Sequence, residues 1–142
     1  MAEFIFSILQ SVGFHHPLHP AITHIPMGMV MGAVFFTSVA FFLKQPALYK
    51  TSYHASILAA IGTPFTVFFG YLDWQYMYGG AWSFQIKAKM ILALVLFFLL
   101  LIAINFGKEG EKKPIPLLIV NGLCLLVAIG LGFMGGELVY NS

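Results

Sequence analysis

Four long apolar runs constrain this chain more than any other feature: Ala21–Leu43, Tyr53–Leu72, Ile86–Phe106 and Ile115–Met134. A bilayer core about 30 Å thick accepts a helix of about 20 apolar residues. Inside lipid the backbone of each run must satisfy its own hydrogen bonds, which a helix does. Lysines, prolines, glycines or polar clusters bound every run. Composition agrees, with 60% of the 142 residues hydrophobic and only 8% charged, against about a quarter charged in ordinary soluble domains. The short connections predict an all-α membrane protein, one membrane domain over residues 1–142 built as an antiparallel bundle of four transmembrane helices. Residues 2–12 are too short to span. Their Phe4, Ile5, Ile8, Leu9 and Val12 recur at helical spacing, which predicts a short N-terminal interfacial helix lying on the membrane. The start, MAEFIFSILQ, has no positive n-region and no small-residue cleavage site, so it reads as retained.

The lysines orient the bundle. Lys44, Lys50, Lys108, Lys112 and Lys113 share one side and Lys87 and Lys89 the other, so the positive-inside rule puts the first group in the cytoplasm and both termini outside. The expected location is a bacterial cytoplasmic membrane. His15, His16, His19, His24, Asp73, Lys87, Lys89, Glu137 and Tyr140 then all fall at the outer rim, and His54 alone among the histidines falls inside. At mid-membrane depth only Thr37, Thr63, Thr66, Asn105 and Asn121 are polar. No ionisable group sits there to mark a proton or ion path, which argues against a pump or secondary transporter. The net charge of +2, carried by seven lysines without a basic cluster, gives no footprint for nucleic acid. A lone cysteine, Cys124, excludes a C-x-x-C-H haem attachment, a cysteine-ligated iron–sulfur cluster and dithiol chemistry.

Residues 15–26, HHPLHPAITHIP, hold four of the five histidines. Pro17 and Pro20 keep residues 15–19 out of a helix interior, while Pro20 suits the first turn of the first span. His19 then falls near the N-cap and His24 about one turn inside. His24, Gly28 and Gly32 recur at i, i+4, which stacks the imidazole above two glycines and predicts an inward-facing stripe. That stripe could admit the flat face of a porphyrin, or only a neighbouring helix. In the first case His24 and His19 are the candidate iron ligands, with Met134 at the outer end of the fourth span as another possible partner. Lys87 and Lys89 stand in for the absent arginines toward haem propionates. His54 lies roughly 25–30 Å away along a helix of this length and cannot share the site. In a quinone reading His24 donates to a quinone carbonyl and Asp73 takes the proton. Alternatively Asp73 orients an imidazole through its N–H. Copper or zinc on His24 and His19, with Met27 or Met31 nearby, is a further ligand reading. The cofactor-free alternative is that the histidines hydrogen-bond water and headgroups.

In HPAITHIP (residues 19–26), GYLDW (70–74) and GGELVY (135–140), in that order and spacing, the chain resembles the family of small four-helix bacterial membrane proteins known as domain of unknown function 2231. The resemblance covers essentially the whole chain. It implies work beside Rieske iron–sulfur and cytochrome c modules at the outer membrane face. Two departures stand out. Gln85-Ile86-Lys87 occupies a place where many members carry a histidine, and the chain ends at Asn141-Ser142 where relatives continue with a glycine-rich turn.

The expectation from the sequence is a small membrane subunit of an electron-transfer complex, not a stand-alone enzyme, with a b-type haem or a quinone near the outer face. Its site residues are His19, His24, Gly28, Asp73, Lys87 and Met134. Membrane lipid and an extracytoplasmic redox protein of the cytochrome c or iron–sulfur type are the expected partners, and either a homo-oligomer or a hetero-complex is open. The rival reading is a cofactor-free anchor or scaffold for such a redox protein.

Overall fold

The computed structural model describes residues 1–140; the departure at Asn141-Ser142 lies outside them. Five helices follow one another: α1 (Ala2–Ser11), α2 (His19–Phe42), α3 (Ala47–Met77), α4 (Phe84–Gly107) and α5 (Pro114–Tyr140). The last four are long and apolar enough to cross a membrane. They extend past the apolar runs that the sequence delimits, most of all α3, which begins at Ala47 and continues to Met77. Backbone hydrogen bonding carries a helix beyond its hydrophobic stretch until something stops it. At the far end of α3 the stop is Gly79 and Gly80, whose φ angles of 58° and 70° favour glycine.

The four long helices form a closed ring in the order α2, α3, α4, α5, and the interface between α2 and α3 is the most extensive. In lipid there is no hydrophobic gain from bringing apolar helices together, so association relies on close packing and hydrogen bonds. The α3 face meets that need with small residues. Ser52, Ala55, Ser56, Ala59, Ala60, Thr63 and Thr66 are all buried. Opposite them α2 buries Pro26, Val30, Ala33, Thr37 and Ala40, which alternate by four and three residues as in a coiled-coil seam. Leu96, Leu100 and Ala103 of α4 and Val120, Cys124 and Ala128 of α5 complete the core. The outer surfaces are covered by exposed phenylalanine, leucine and isoleucine such as Phe35, Phe65, Phe98 and Leu126, as a lipid-facing bundle requires.

Helix α1 packs against the end of α3. Phe6 stacks on Tyr76 with ring centroids 4.2 Å apart, Gln10 Nε2 donates to the Tyr76 hydroxyl at 2.9 Å, and Ala2 and Phe6 are buried with Leu72. Most of the apolar face predicted to lie on the membrane stays outside this contact. Phe4, Ile8 and Val12 point away from the bundle, and the docking face is Ala2–Phe6, flanked by Ile5.

The two kinds of glycine in the bundle behave oppositely. A Cβ on Gly110 would come within 2.9 Å of Tyr49 Cβ, whereas one on Gly28 meets nothing within 4 Å. Gly110→Ala is therefore expected to lower stability by about 1–3 kcal/mol through overpacking against a side chain fixed near its backbone. Gly28→Ala should be neutral or stabilise by up to about 1 kcal/mol through helix propensity. Thermal unfolding of the two variants in detergent checks the contrast.

Candidate functional site

The end of the bundle where α2 begins is organised by Asp73, on the last turns of α3. Helix α2 starts without a capping side chain of its own, since Leu18 occupies the cap position. Its first amide N–H groups would lack partners. Asp73 supplies them from the neighbouring helix: the Leu18 amide donates to Oδ1 at 3.1 Å and the His19 amide to Oδ2 at 2.7 Å. A carboxylate at a helix N-terminus also meets the positive end of the helix dipole. Asp73 is buried, 4% exposed. Both of its oxygens accept backbone amides, so Asp73 caps α2, and the imidazole N–H of His19 is oriented by Thr66 and not by Asp73.

His19 is the second element. Its Nδ1 lies 2.9 Å from the Thr66 carbonyl oxygen, an acceptor only, so Nδ1 carries the proton and donates it. In the neutral ring the remaining nitrogen, Nε2, is then a hydrogen-bond acceptor with a fixed direction. Gly70 makes this possible, because a Cβ at that position would stand 2.8 Å from His19 Nδ1. Thr66, Gly70 and Asp73 recur at i, i+4, i+7, so one stripe of α3 holds the ring's N–H, its flank and its backbone amide. Thr23 Oγ1 donates to the His19 carbonyl at 2.6 Å and closes the first turn.

Lys89 approaches from α4. It is half-buried, within Coulombic reach of His19 and Asp73. Its Nζ lies near Gly135 of α5, 3.7 Å from where a Cβ would be. His19, Asp73, Lys89 and Gly135 therefore bring all four spans to one place. Lys87, which the sequence offers beside Lys89 for this role, is exposed; two residues along a helix turn the side chain by about 200°. Met134 is half-buried and Glu137 exposed.

The stripe built on His24 faces the wrong way for an interior site. His24 and Gly28 are exposed, and a Cβ on Gly28 or Gly32 would touch nothing within 4 Å. Five residues separate His24 from His19, which places the two rings about 140° apart around α2. They do not converge on one ion within a chain. Among the described residues no group of three His, Cys, Asp or Glu side chains is arranged to hold a metal ion. His54 is exposed at the opposite end. Two shallow surface grooves exist, one of about 300 Å³ between α1 and Gln75–Tyr76 and one of about 330 Å³ along Gly132, Phe133, Gly136, Glu137 and Tyr140.

A family model described as a predicted membrane protein, DUF2231, matches residues 15–142. The chain belongs to the DUF2231 family. No curated protein and no solved structure matches it. In this DUF2231 chain the three motifs singled out in the sequence fall at one end of the bundle. HPAITHIP supplies His19, GYLDW supplies Gly70 and Asp73, and GGELVY supplies the Gly135 that faces Lys89.

The capping role has a direct test. Asp73→Ala leaves two amide donors without acceptors and is expected to cost about 1–3 kcal/mol, with faster hydrogen exchange at Leu18 and His19. Asp73→Asn keeps one acceptor oxygen and should lose less than Asp73→Ala. Equal stability of all three proteins would contradict the assignment.

Proposed function

We propose that this protein is a small subunit of a bacterial cytoplasmic-membrane electron-transfer complex, with a quinone-type ring bound at the His19–Lys89 end of the bundle. The observation that carries the reading is the hydrogen bond from His19 Nδ1 to the Thr66 carbonyl, 2.9 Å long. It leaves Nε2 as the basic nitrogen, held in one direction. A bound quinone would supply a two-electron, two-proton couple; the chain's own residues hold and move the proton. His19 Nε2 accepts it from a hydroxyl, and the Lys89 ammonium neutralises an oxygen that turns anionic. Asp73 keeps the imidazole in place. The lysine distribution supports an outward-facing position for this end, where an extracytoplasmic cytochrome c or iron–sulfur protein would take the electrons.

A b-type haem is the second reading, favoured by the same bond. A histidine that ligates a metal through one nitrogen ordinarily donates its other N–H to a carbonyl or carboxylate. His19 Nε2 would hold the iron, and a further ligand would come from Met134 or a second protomer, because His24 diverges from His19.

Protein purified in mild detergent separates the readings. Quinone should co-purify, and His19→Gln should weaken its binding by about tenfold, the loss of one hydrogen bond of about 1.4 kcal/mol. Lys89→Met should weaken it as well, and His24→Gln should leave it unchanged. A Soret band that shifts on reduction with dithionite and is lost in His19→Gln assigns haem instead. A colourless preparation free of quinone and metal would sink both and leave a cofactor-free scaffold for an outer redox protein. Sidedness is checked separately by alkaline phosphatase fusions, which should be active after Gly80 and inactive after Gln45; the reverse would overturn the orientation.

A further inference from the structure

A second polar cluster lies near the opposite end of the bundle, where α2, α3 and α5 meet. Thr37 Oγ1 is 2.5 Å from Ser52 Oγ, Ser52 Oγ is 2.9 Å from the Ala33 carbonyl oxygen, and Asn121 Nδ2 is 2.8 Å from Thr37 Oγ1 and 3.3 Å from Ser52 Oγ. The direction of every bond follows from proton counting. The Ala33 carbonyl only accepts, so Ser52 donates its one proton there. Ser52 must therefore accept from Thr37, and Thr37, its proton committed, accepts from Asn121. The donors run from Asn121 to Thr37 to Ser52 to Ala33, and one Asn121 N–H is shared between the Thr37 and Ser52 oxygens, which stand too close together for its two N–H bonds to reach one each.

Two atoms are left over. Asn121 Oδ1 and Ser56 Oγ are buried without a hydrogen-bond partner, in residues that are each 1% exposed. Ser56 stands four residues after Ser52, one turn along the same face of α3. One leftover atom needs a donor and the other has a proton to give, yet the two do not bond directly.

We propose that this cluster is a binding site for one internal water molecule, which accepts from Ser56 Oγ and donates to Asn121 Oδ1. The cluster offers what holds a buried water: it is polar, it is buried, and it presents complementary groups that are costly to leave unpaired. A cation fits less well. The Ser52 oxygen already accepts from two donors and the Thr37 oxygen from one, and no carboxylate lies in the cluster. The water would add a second link between α3 and α5, which share no close backbone approach and meet directly through the Asn121–Ser52 contact. The site is separate from the His19 end, so this inference and the redox reading stand or fall independently.

The test is water-edited solid-state NMR of the full chain in lipid bilayers. Transfer from slowly exchanging water to both the Asn121 side-chain amide and the Ser56 side chain is expected, and Ser56→Ala should remove the transfer at Asn121. Absence of transfer at these two residues in the wild-type protein would overturn the proposal, as would persistence at Asn121 in folded Ser56→Ala. So would a sodium-dependent shift of the Asn121 signals that choline chloride does not reproduce, which would mark a cation instead. The wild-type spectrum decides by itself if the variant does not fold.

Discussion

The half of this bundle where α2 begins depends on one carboxylate acting as a helix cap across a helix–helix interface. Asp73 accepts the amides of Leu18 and His19, and α2 has no alternative, because its own cap residue is a leucine. An exposed capping residue would be replaceable by water. Asp73 is buried at the membrane end of α3, where water competes poorly and the dipole of α2 is little screened. By fixing where α2 begins, it also fixes which residues of α2 face inward.

Four seams of the bundle show the consequence. Steps of seven residues stay on nearly the same face of a helix, drifting by about 20° each. His19, Pro26, Ala33 and Ala40 form such a series on α2, and Ser52, Ala59, Thr66 and Asp73 form one on α3. Lys89, Leu96 and Ala103 do so on α4, and Asn121, Ala128 and Gly135 on α5. All of these except His19, Lys89 and Gly135, which are half-buried, are buried. The polar residues His19, Asp73 and Lys89 are thus the last rung of the same ladder that packs the core. Pro26 against Gly62 shows how close the ladder is, since a Cβ on Gly62 would stand 3.2 Å from Pro26 Cδ. At the other end the Asn121–Thr37–Ser52 bonds hold the same helices together, so small side chains in the middle are bracketed by polar contacts at both ends.

The spans, their number and their antiparallel order were legible because length and hydropathy in lipid admit little else. The facing of each helix was not. A helix that is apolar all round carries almost no periodic signal, and a glycine pair such as Gly28–Gly32 fits a lipid-exposed face as readily as a packed one. The pattern of His24, Gly28 and Gly32 therefore pointed to the wrong side of α2, while the seven-residue step from His19 to Pro26 and Ala33 pointed to the right one. The same step from Lys89 to Leu96 and Ala103 distinguishes it from Lys87. That Asp73, His19 and a GYLDW glycine belong together was foreshadowed by the family motifs. The partner of the imidazole, a backbone carbonyl at Thr66, has no signature in any sequence.

The account rests on His19 being a neutral imidazole with its proton on Nδ1, tied to Thr66. Nitrogen-15 NMR of the histidine rings, with His19 assigned by comparison with His19→Gln, reads this directly. A protonated Nδ1 signal, an unprotonated Nε2 signal and a scalar coupling from Nδ1 to the Thr66 carbonyl carbon are expected, while exposed His15 and His16 average between tautomers. An Nε2-protonated ring at His19, or one that averages like its exposed neighbours, would contradict the account.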